Sequence, residues 1–151
     1  MSNIEQQIVD LINQGQQPEA IKISNTYVEQ QPDSSDAYYC RGQAKISWGH
    51  TSEAIDDLKK AISINPSNAN YYNMLGMAYT EKGEYEDAIQ EFNRAIHIEK
   101  DNLSYRANLS KANALLGNIE SALIQLEELY RLEPNNEQIK NELVAVYICS
   151  Y

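Results

Sequence analysis

Residues 71–98 read YYNMLGMAYTEKGEYEDAIQEFNRAIHI, and this stretch decides the fold. In its first half, Tyr72, Leu75 and Tyr79 recur at the spacing of one face of an α-helix. A Glu-Lys-Gly turn follows, with Gly83 placed to adopt the positive φ that closes a helix. The second half contains another apolar stripe at helical spacing: Tyr85, Ala88, Ile89, Phe92, Ala95 and Ile96. The segment therefore predicts two short amphipathic helices joined by a tight turn.

The same pattern recurs along the whole chain of 151 residues at an interval of 34. One set of glycines keeps this interval, namely Gly15, Gly49, Gly83 and Gly117. One set of alanines does the same, namely Ala20, Ala54, Ala88 and Ala122. The chain is therefore predicted to consist of four repeats and a remainder, with the boundaries 1–34, 35–68, 69–102, 103–136 and 137–151.

Small residues and prolines complete the pattern. Gly42 and Gly76 lie in the first helix of their repeats, where a missing side chain lets two helix backbones approach closely. Pro32, Pro66 and Pro134 share one position near the end of the second helix, which a proline ends.

These residues resemble the tetratricopeptide repeat (TPR) family. The third repeat matches the family pattern at Tyr72, Leu75, Gly76, Tyr79, Gly83, Ala88, Phe92 and Ala95. The second repeat departs from it at Arg41 and Lys45, where apolar residues are usual, and the fourth has Arg106 and Ser110 in place of an aromatic residue and a glycine. The resemblance implies an all-α fold: a right-handed superhelical solenoid of four helix-turn-helix repeats plus a C-terminal capping helix, forming one domain over 1–151.

The resemblance also implies a function. First helices would line a concave groove, and that groove would hold a peptide segment or a helix of a protein partner whose identity the sequence does not reveal. By the family's repeat positions, the candidate groove residues are Val9, Tyr39, Gln43, Ile46, Asn73, Met74, Met77, Asn108 and Lys111. The amides can hydrogen-bond an extended peptide, and the methionines offer an adaptable apolar floor. Two alternatives stay open: the methionines pack between helices, and the amides are solvated surface.

Charge disfavours other binding classes. The formal net charge is −10, which opposes binding to nucleic acids or to anionic membranes. A pentatricopeptide-like RNA reader is therefore the less favoured alternative, since Lys111 is the single cation among the candidate groove residues. The Lys, Asn and Arg clamp with which some TPR proteins bind chaperone tails is absent in every register.

No enzyme, cofactor or metal site is expected. His50 and His97 lie on different helix units, and no phosphate-binding loop or nucleophile motif occurs. The acidic groups Asp56–Asp57, Glu84–Glu86–Asp87 and Glu127–Glu128 are predicted to be a solvated outer face. With no secretory signal and no membrane span, a cytoplasmic protein is expected, with Cys40 and Cys149 as free thiols.

The C-terminal remainder leaves apolar side chains without a following helix. We expect a homodimer in which the contact residues are Leu143, Val144, Tyr147, Ile148 and Tyr151. Two alternatives are that the chain is a fragment of a longer TPR protein, and that the last helix is a cap lying over the fourth repeat.

Overall fold

The computed structural model describes residues 3–149, and between these residues it contains nine α-helices and no β-strand. In chain order the helices are α1 (Asn3–Asn13), α2 (Gln17–Gln30), α3 (Ser35–Ser47), α4 (Thr51–Ile64), α5 (Ala69–Lys82), α6 (Tyr85–Ile98), α7 (Leu103–Leu116), α8 (Ile119–Leu132) and α9 (Glu137–Cys149). Within the described part of the chain, the prediction of an all-α protein is confirmed. None of the helices between residues 3 and 149 combines the length and the apolar character that crossing a bilayer requires.

The helices stack in chain order. Each helix packs against the next, from α1 through to α9. In addition, α1 contacts α3, α3 contacts α5, and α5 contacts α7. The first helices of successive pairs therefore form one continuous row, and the superhelical stack follows from neighbour contacts of this kind.

Local signals set the ends of the helices. Gly83 has a φ of +77°, and the N–H of the following Glu84 donates to the Tyr79 carbonyl at 3.0 Å. The prediction that Gly83 closes a helix is therefore confirmed, because that φ suits glycine and the bond satisfies a carbonyl in the last turn. At the other end of the same helix, the Asn68 side chain accepts a hydrogen bond from the Asn70 N–H and caps the first turn.

Close approach within the helix pairs depends on one position of the first helix. A Cβ atom added to Gly76 would lie 2.7 Å from Cε1 of Phe92, and one added to Gly42 would lie 3.1 Å from Cγ of Leu58. Phe92 and Leu58 are both fully buried. Each glycine therefore makes room for a large side chain from the second helix, and the predicted close approach of the two backbones stays a prediction.

The same position is filled differently in the first and last pairs. In the fourth pair, Ser110 occupies it, and its hydroxyl donates to the Ala122 carbonyl of α8 at 3.1 Å. In the first pair the sizes are reversed: Ile8 stands at the glycine position and Ser24 stands where Leu58 and Phe92 stand. Ile8 and Ser24 are both 0% exposed. Each helix pair is therefore filled by one large and one small side chain.

A buried ion-pair cluster joins α3 to α4 and corrects one expectation. The Asp57 carboxylate accepts hydrogen bonds from Nε and Nη2 of Arg41 at 2.9 and 2.6 Å, and lies 2.8 Å from Nζ of Lys45. Asp56 is exposed as expected, but the assignment of Asp57 to the solvated outer face is wrong, because its side chain is only 6% exposed. Arg41 and Lys45 occupy positions that are usually apolar, and two cations at such positions require a buried counter-charge.

Candidate functional site

The row of first helices carries all nine predicted groove residues. Val9 lies on α1, and the other eight lie on α3, α5 and α7: Tyr39, Gln43, Ile46, Asn73, Met74, Met77, Asn108 and Lys111. Lys111 is exposed, Met77 is 40% exposed, and the remaining candidates are partly buried. The structure therefore places the candidates on four helices that contact one another in sequence.

Some of these side chains also contribute to packing. Tyr39, Ile46 and Met74 pack against a buried cluster formed by Ile55, Leu58, Leu75 and Ala78. For Met74, packing between helices accounts for much of its surface. Met77 is more accessible, so the two methionines differ in what they offer to a ligand.

A cavity of about 280 Å³ opens on α1, α3 and the start of α5. We call it the first-helix pocket, and its lining residues are Glu5, Val9, Asp36, Tyr39, Cys40, Gln43, Asn68, Asn70 and Tyr71. Three of the predicted groove residues line it, namely Val9, Tyr39 and Gln43. The groove residues predicted from the sequence did not include Asp36 and Tyr71, which line the pocket because their two helix pairs contact each other.

A ladder of hydrogen bonds runs across the first helices. The Tyr71 hydroxyl contacts the Asp36 carboxylate, and the Tyr105 hydroxyl donates to Oδ1 of Asn70 at 2.8 Å. Each of these bonds joins residues 35 apart, which is one repeat interval plus one residue. The signal in the sequence was the tyrosine at the third position of the third and fourth repeats. These bonds hold the surface side chains in fixed positions.

The amide side chains of the predicted groove also form hydrogen bonds to neighbouring side chains. Nδ2 of Asn108 donates to Oδ1 of Asn73 at 2.9 Å, again across 35 residues. Nε2 of Gln43 donates to the Tyr39 hydroxyl at 3.3 Å. An amide has two N–H donors and an oxygen with two lone pairs, so one bond leaves further capacity for a ligand.

Burial and nearby charges keep the Cys40 thiol and the Tyr39 phenol of the pocket protonated. Burial raises the pKa of the Cys40 thiol to about 12, and the carboxylates of Glu5 and Asp36 add to the shift. Burial is also the largest cause that raises the pKa of Tyr39 to about 12. At neutral pH the thiol and the phenol are therefore uncharged, and negative charge in the pocket comes from carboxylates.

A second cavity, of about 300 Å³, lies between α7, α8 and α9. It is lined by Ser110, Lys111, Ala114, Leu115, Ile119, Leu126, Glu142, Ala145 and Val146. Of the predicted groove residues only Lys111 borders it. This cavity is mostly apolar, with Lys111 and Glu142 as its two charged side chains.

The predicted dimer contacts on α9 have different environments. Leu143 is partly buried and packs against the cluster of Ala122, Leu126, Leu129, Ile139 and Val146. Val144 is 52% exposed and Ile148 is 72% exposed. Tyr147 is 40% exposed, and its hydroxyl contacts the Glu127 carboxylate. Tyr151 lies outside the described residues.

The histidines, cysteines and acids of the described residues are distributed over several helices. Among them, no group of three or more histidines, cysteines or acids is arranged to hold a metal ion. His50 stacks on Trp48 with 4.9 Å between the ring centroids and lies 3.4 Å from a Glu53 oxygen. His97 is exposed near the end of α6. The two histidines therefore lie on separate helix pairs.

Helix pairs that pack in chain order, with their first helices in a row, define an α-solenoid of helix-turn-helix repeats. Two sequence profiles of the tetratricopeptide repeat match residues 35–68 and 58–90, and a third, a TPR repeat profile, matches residues 76–117. Together these matches span more than half of the chain, and the chain belongs to the tetratricopeptide repeat family. The family is generally a non-catalytic repeat scaffold for protein interactions.

Solved TPR structures share the fold at low sequence identity. MamA is 20% identical, with a TM-score of 0.83 over 93% of this chain and 82% of that chain. TTC0263, a thermophilic TPR protein of Thermus thermophilus, is 19% identical, with a TM-score of 0.85 over 96% of this chain and 80% of that chain. YrrB, described as a TPR protein with an unusual peptide-binding site, is 19% identical, with a TM-score of 0.77 over 95% of this chain and 74% of that chain. No curated protein sequence matches this chain. The superhelical repeat fold is thereby confirmed.

Proposed function

We propose that this chain is a non-enzymatic scaffold that binds a peptide segment or a helix of a partner protein along the row formed by α1, α3, α5 and α7. The observation that carries the proposal is the first-helix pocket, a cavity of about 280 Å³ on this row. It combines apolar and aromatic side chains with amides and two acids, and a concave pocket with a few converging polar groups is the usual form of a ligand site.

Side chains on the row of first helices are held in place before any ligand binds, and this supports the proposal. Tyr71, Tyr105 and Asn108 are each hydrogen-bonded to a residue of the preceding helix pair. Side chains held in this way lose little rotamer entropy when a ligand binds, so more of the contact energy appears as affinity. The peptide-binding site named for YrrB, which has the same fold, is consistent with this class of function.

An experiment that separates the two faces of the solenoid tests the proposal. Peptides are selected from a randomised library against the whole chain, and their dissociation constants are measured for Met77→Glu and for the matched control Ile124→Glu. Met77 lies on the first-helix row and is 40% exposed, whereas Ile124 lies on α8 and is 61% exposed. Because both variants place a carboxylate on an exposed apolar position, they change the charge equally.

We expect Met77→Glu to weaken binding about tenfold or more, because a charge would be desolvated under the ligand, and Ile124→Glu to change it less than about twofold. Circular dichroism spectra of both variants should match that of the parent chain. Equal affinities for the two variants would show that the row of first helices is not the binding surface.

A second candidate function, self-association through α9, is favoured by the exposure of Val144 and Ile148. In this reading two copies of α9 cover each other's apolar strip. Light scattering over a range of concentrations tests it. A mass that rises to that of a dimer, and that returns to the monomer in Ile148→Glu, is expected; a monomer at high concentration rejects it.

The proposal includes a cytoplasmic location and no nucleic-acid or membrane partner. The free, buried thiol of Cys40 suits a reducing compartment. The formal charge of −10 opposes binding to a phosphate backbone, and a gel shift with RNA at low salt is expected to show no complex.

A further inference from the structure

The first-helix pocket carries an inference about which residue of the ligand it accepts, and this inference rests on the proposed function. We propose that the pocket binds an arginine side chain of the partner peptide, with the guanidinium group against the Asp36 carboxylate and the ring of Tyr39. The ligand is thus a peptide segment with a cationic residue, in contrast to the acidic chaperone tails that other TPR proteins bind.

Charge complementarity is the first support. Two of the nine lining residues are acids, Glu5 and Asp36, and none is lysine or arginine. Both carboxylates act on the same thiol, that of Cys40, so their fields overlap within the pocket. Glu5 is partly buried, whereas Asp36 is exposed at the edge of the pocket. Negative potential in a concave site attracts a cation more strongly than the same charges would on a flat surface.

Asp36 is held in place but retains binding capacity. It lies in the first turn of α3, where a carboxylate is favoured by the helix dipole, and it accepts a hydrogen bond from the Tyr71 hydroxyl. A carboxylate offers about four lone-pair sites, so one bond fixes its orientation and leaves sites that a cationic donor can use. Charge-assisted hydrogen bonds of this kind are among the stronger ones in proteins.

The ring of Tyr39 in the pocket favours an arginine side chain over a lysine side chain. The ring of Tyr39 packs on the ring of Tyr71 with 5.0 Å between centroids, and Gln43 donates to the Tyr39 hydroxyl. Tyr39 is partly buried and its ring is fixed by Tyr71 and, through the hydroxyl, by Gln43. A planar guanidinium group can stack on the part of such a ring that borders the pocket while its N–H groups reach a carboxylate. Val9 lines the same pocket and offers apolar contact for the methylene groups of the side chain.

Labelled nonapeptide pools test the inference. All positions are degenerate except the central one, which is arginine, lysine or citrulline, the neutral analogue that keeps the shape of arginine. Fluorescence anisotropy of each pool is titrated with the whole chain, with Asp36→Asn and with Asp56→Asn. Asparagine at 36 keeps an acceptor for Tyr71, and Asp56 is an exposed acid on α4, so both variants lose one negative charge.

We expect the arginine pool to bind about tenfold tighter than the citrulline pool, with lysine between them, because citrulline keeps the shape but loses the charge that strengthens the hydrogen bond to the carboxylate and the attraction to the ring. The preference should fall to less than about twofold in Asp36→Asn and at high salt, and should persist in Asp56→Asn. Tyr39→Leu should reduce the preference for arginine over lysine even if Asp36→Asn proves poorly folded.

The outcomes distinguish this inference from the proposed function. Equal affinities of the arginine and citrulline pools for the parent chain would overturn the arginine site and leave peptide binding in place. Absence of binding by all three pools to the folded chain would overturn peptide binding itself. A preference for arginine that survives in both Asp36→Asn and Tyr39→Leu would place the cation elsewhere and would also overturn the inference.

Discussion

Replacement of Gly76 by alanine is expected to destabilise the chain, although alanine is the better helix former. The added Cβ would lie 2.7 Å from Cε1 and 2.8 Å from Cδ1 of Phe92, a ring that is 1% exposed. Carbon atoms in contact prefer about 3.5–4.0 Å, so a rigid ring must move by about 1 Å. Overpacking of this kind costs about 1–3 kcal/mol, and the helix propensity of alanine returns up to about 1 kcal/mol. We expect a net loss of about 1–2 kcal/mol in the free energy of unfolding.

Gly42→Ala is the matched control. Its Cβ would lie 3.1 Å from Cγ of Leu58, a flexible side chain that needs to shift by only a few tenths of an ångström. We expect Gly42→Ala to lie within about 0.5 kcal/mol of the parent chain, because propensity and packing nearly cancel. Urea denaturation followed by circular dichroism measures both variants. If Gly76→Ala is as stable as Gly42→Ala, or if adding Phe92→Leu does not reduce its cost, the close-contact explanation is wrong.

Three further predictions concern stability. Asp57→Asn should cost about 2–3 kcal/mol in urea denaturation, because it removes the carboxylate that both Arg41 and Lys45 contact and leaves Lys45 only the more exposed Glu53 at 3.5 Å. Asp56→Asn should change stability by less than about 0.5 kcal/mol, and similar values for the two variants would show that the cluster is solvated. Within the described residues, Oε1 of Gln125 is buried without a hydrogen-bond partner. Gln125→Met should therefore raise the melting temperature and add about 1 kcal/mol to the free energy of unfolding. A lower free energy of unfolding would mean that the amide has a hydrogen-bond partner in solution. The pKa values of Tyr39, Tyr71 and Tyr105 are raised from 10.0 to about 12, chiefly by burial, so the folded chain keeps protons that the unfolded chain releases. The free energy of unfolding should therefore fall as the pH rises from about 10 to about 12. In a pH titration, tyrosinate absorbance should rise together with the loss of helical circular dichroism. Ionisation of all tyrosines near pH 10 with the helices intact would contradict this prediction.

Features that recur at the same position of each repeat could be predicted from the sequence. Gly83 adopts a positive φ because the turn requires it, and Gly76 is small because a helix crosses at that point. Both requirements recur at the interval of 34, so the repeat reveals them. The helix pairing and the superhelical fold follow from the same periodicity.

Features that depend on two distant side chains were not predicted. The buried position of Asp57 is determined by cations on the preceding helix, and the first-helix pocket depends on contacts between residues 35 apart. One signal was present: Arg41 and Lys45 stand at positions that are usually apolar, and two partly buried cations require an acid nearby. The groove residues and the dimer contacts remain predictions, to be tested as described above.

The reversed pair Ile8 and Ser24 has a consequence for recombining this array. If α3 took the place of α1, Gly42 would face Ser24 and leave a void; if α4 took the place of α2, Leu58 would crowd Ile8. Single helices of this chain are therefore not interchangeable parts. Chimaeras should be joined in the linkers that separate hairpins, at 31–34, 65–68 or 99–102, so that each large side chain travels with its own small partner.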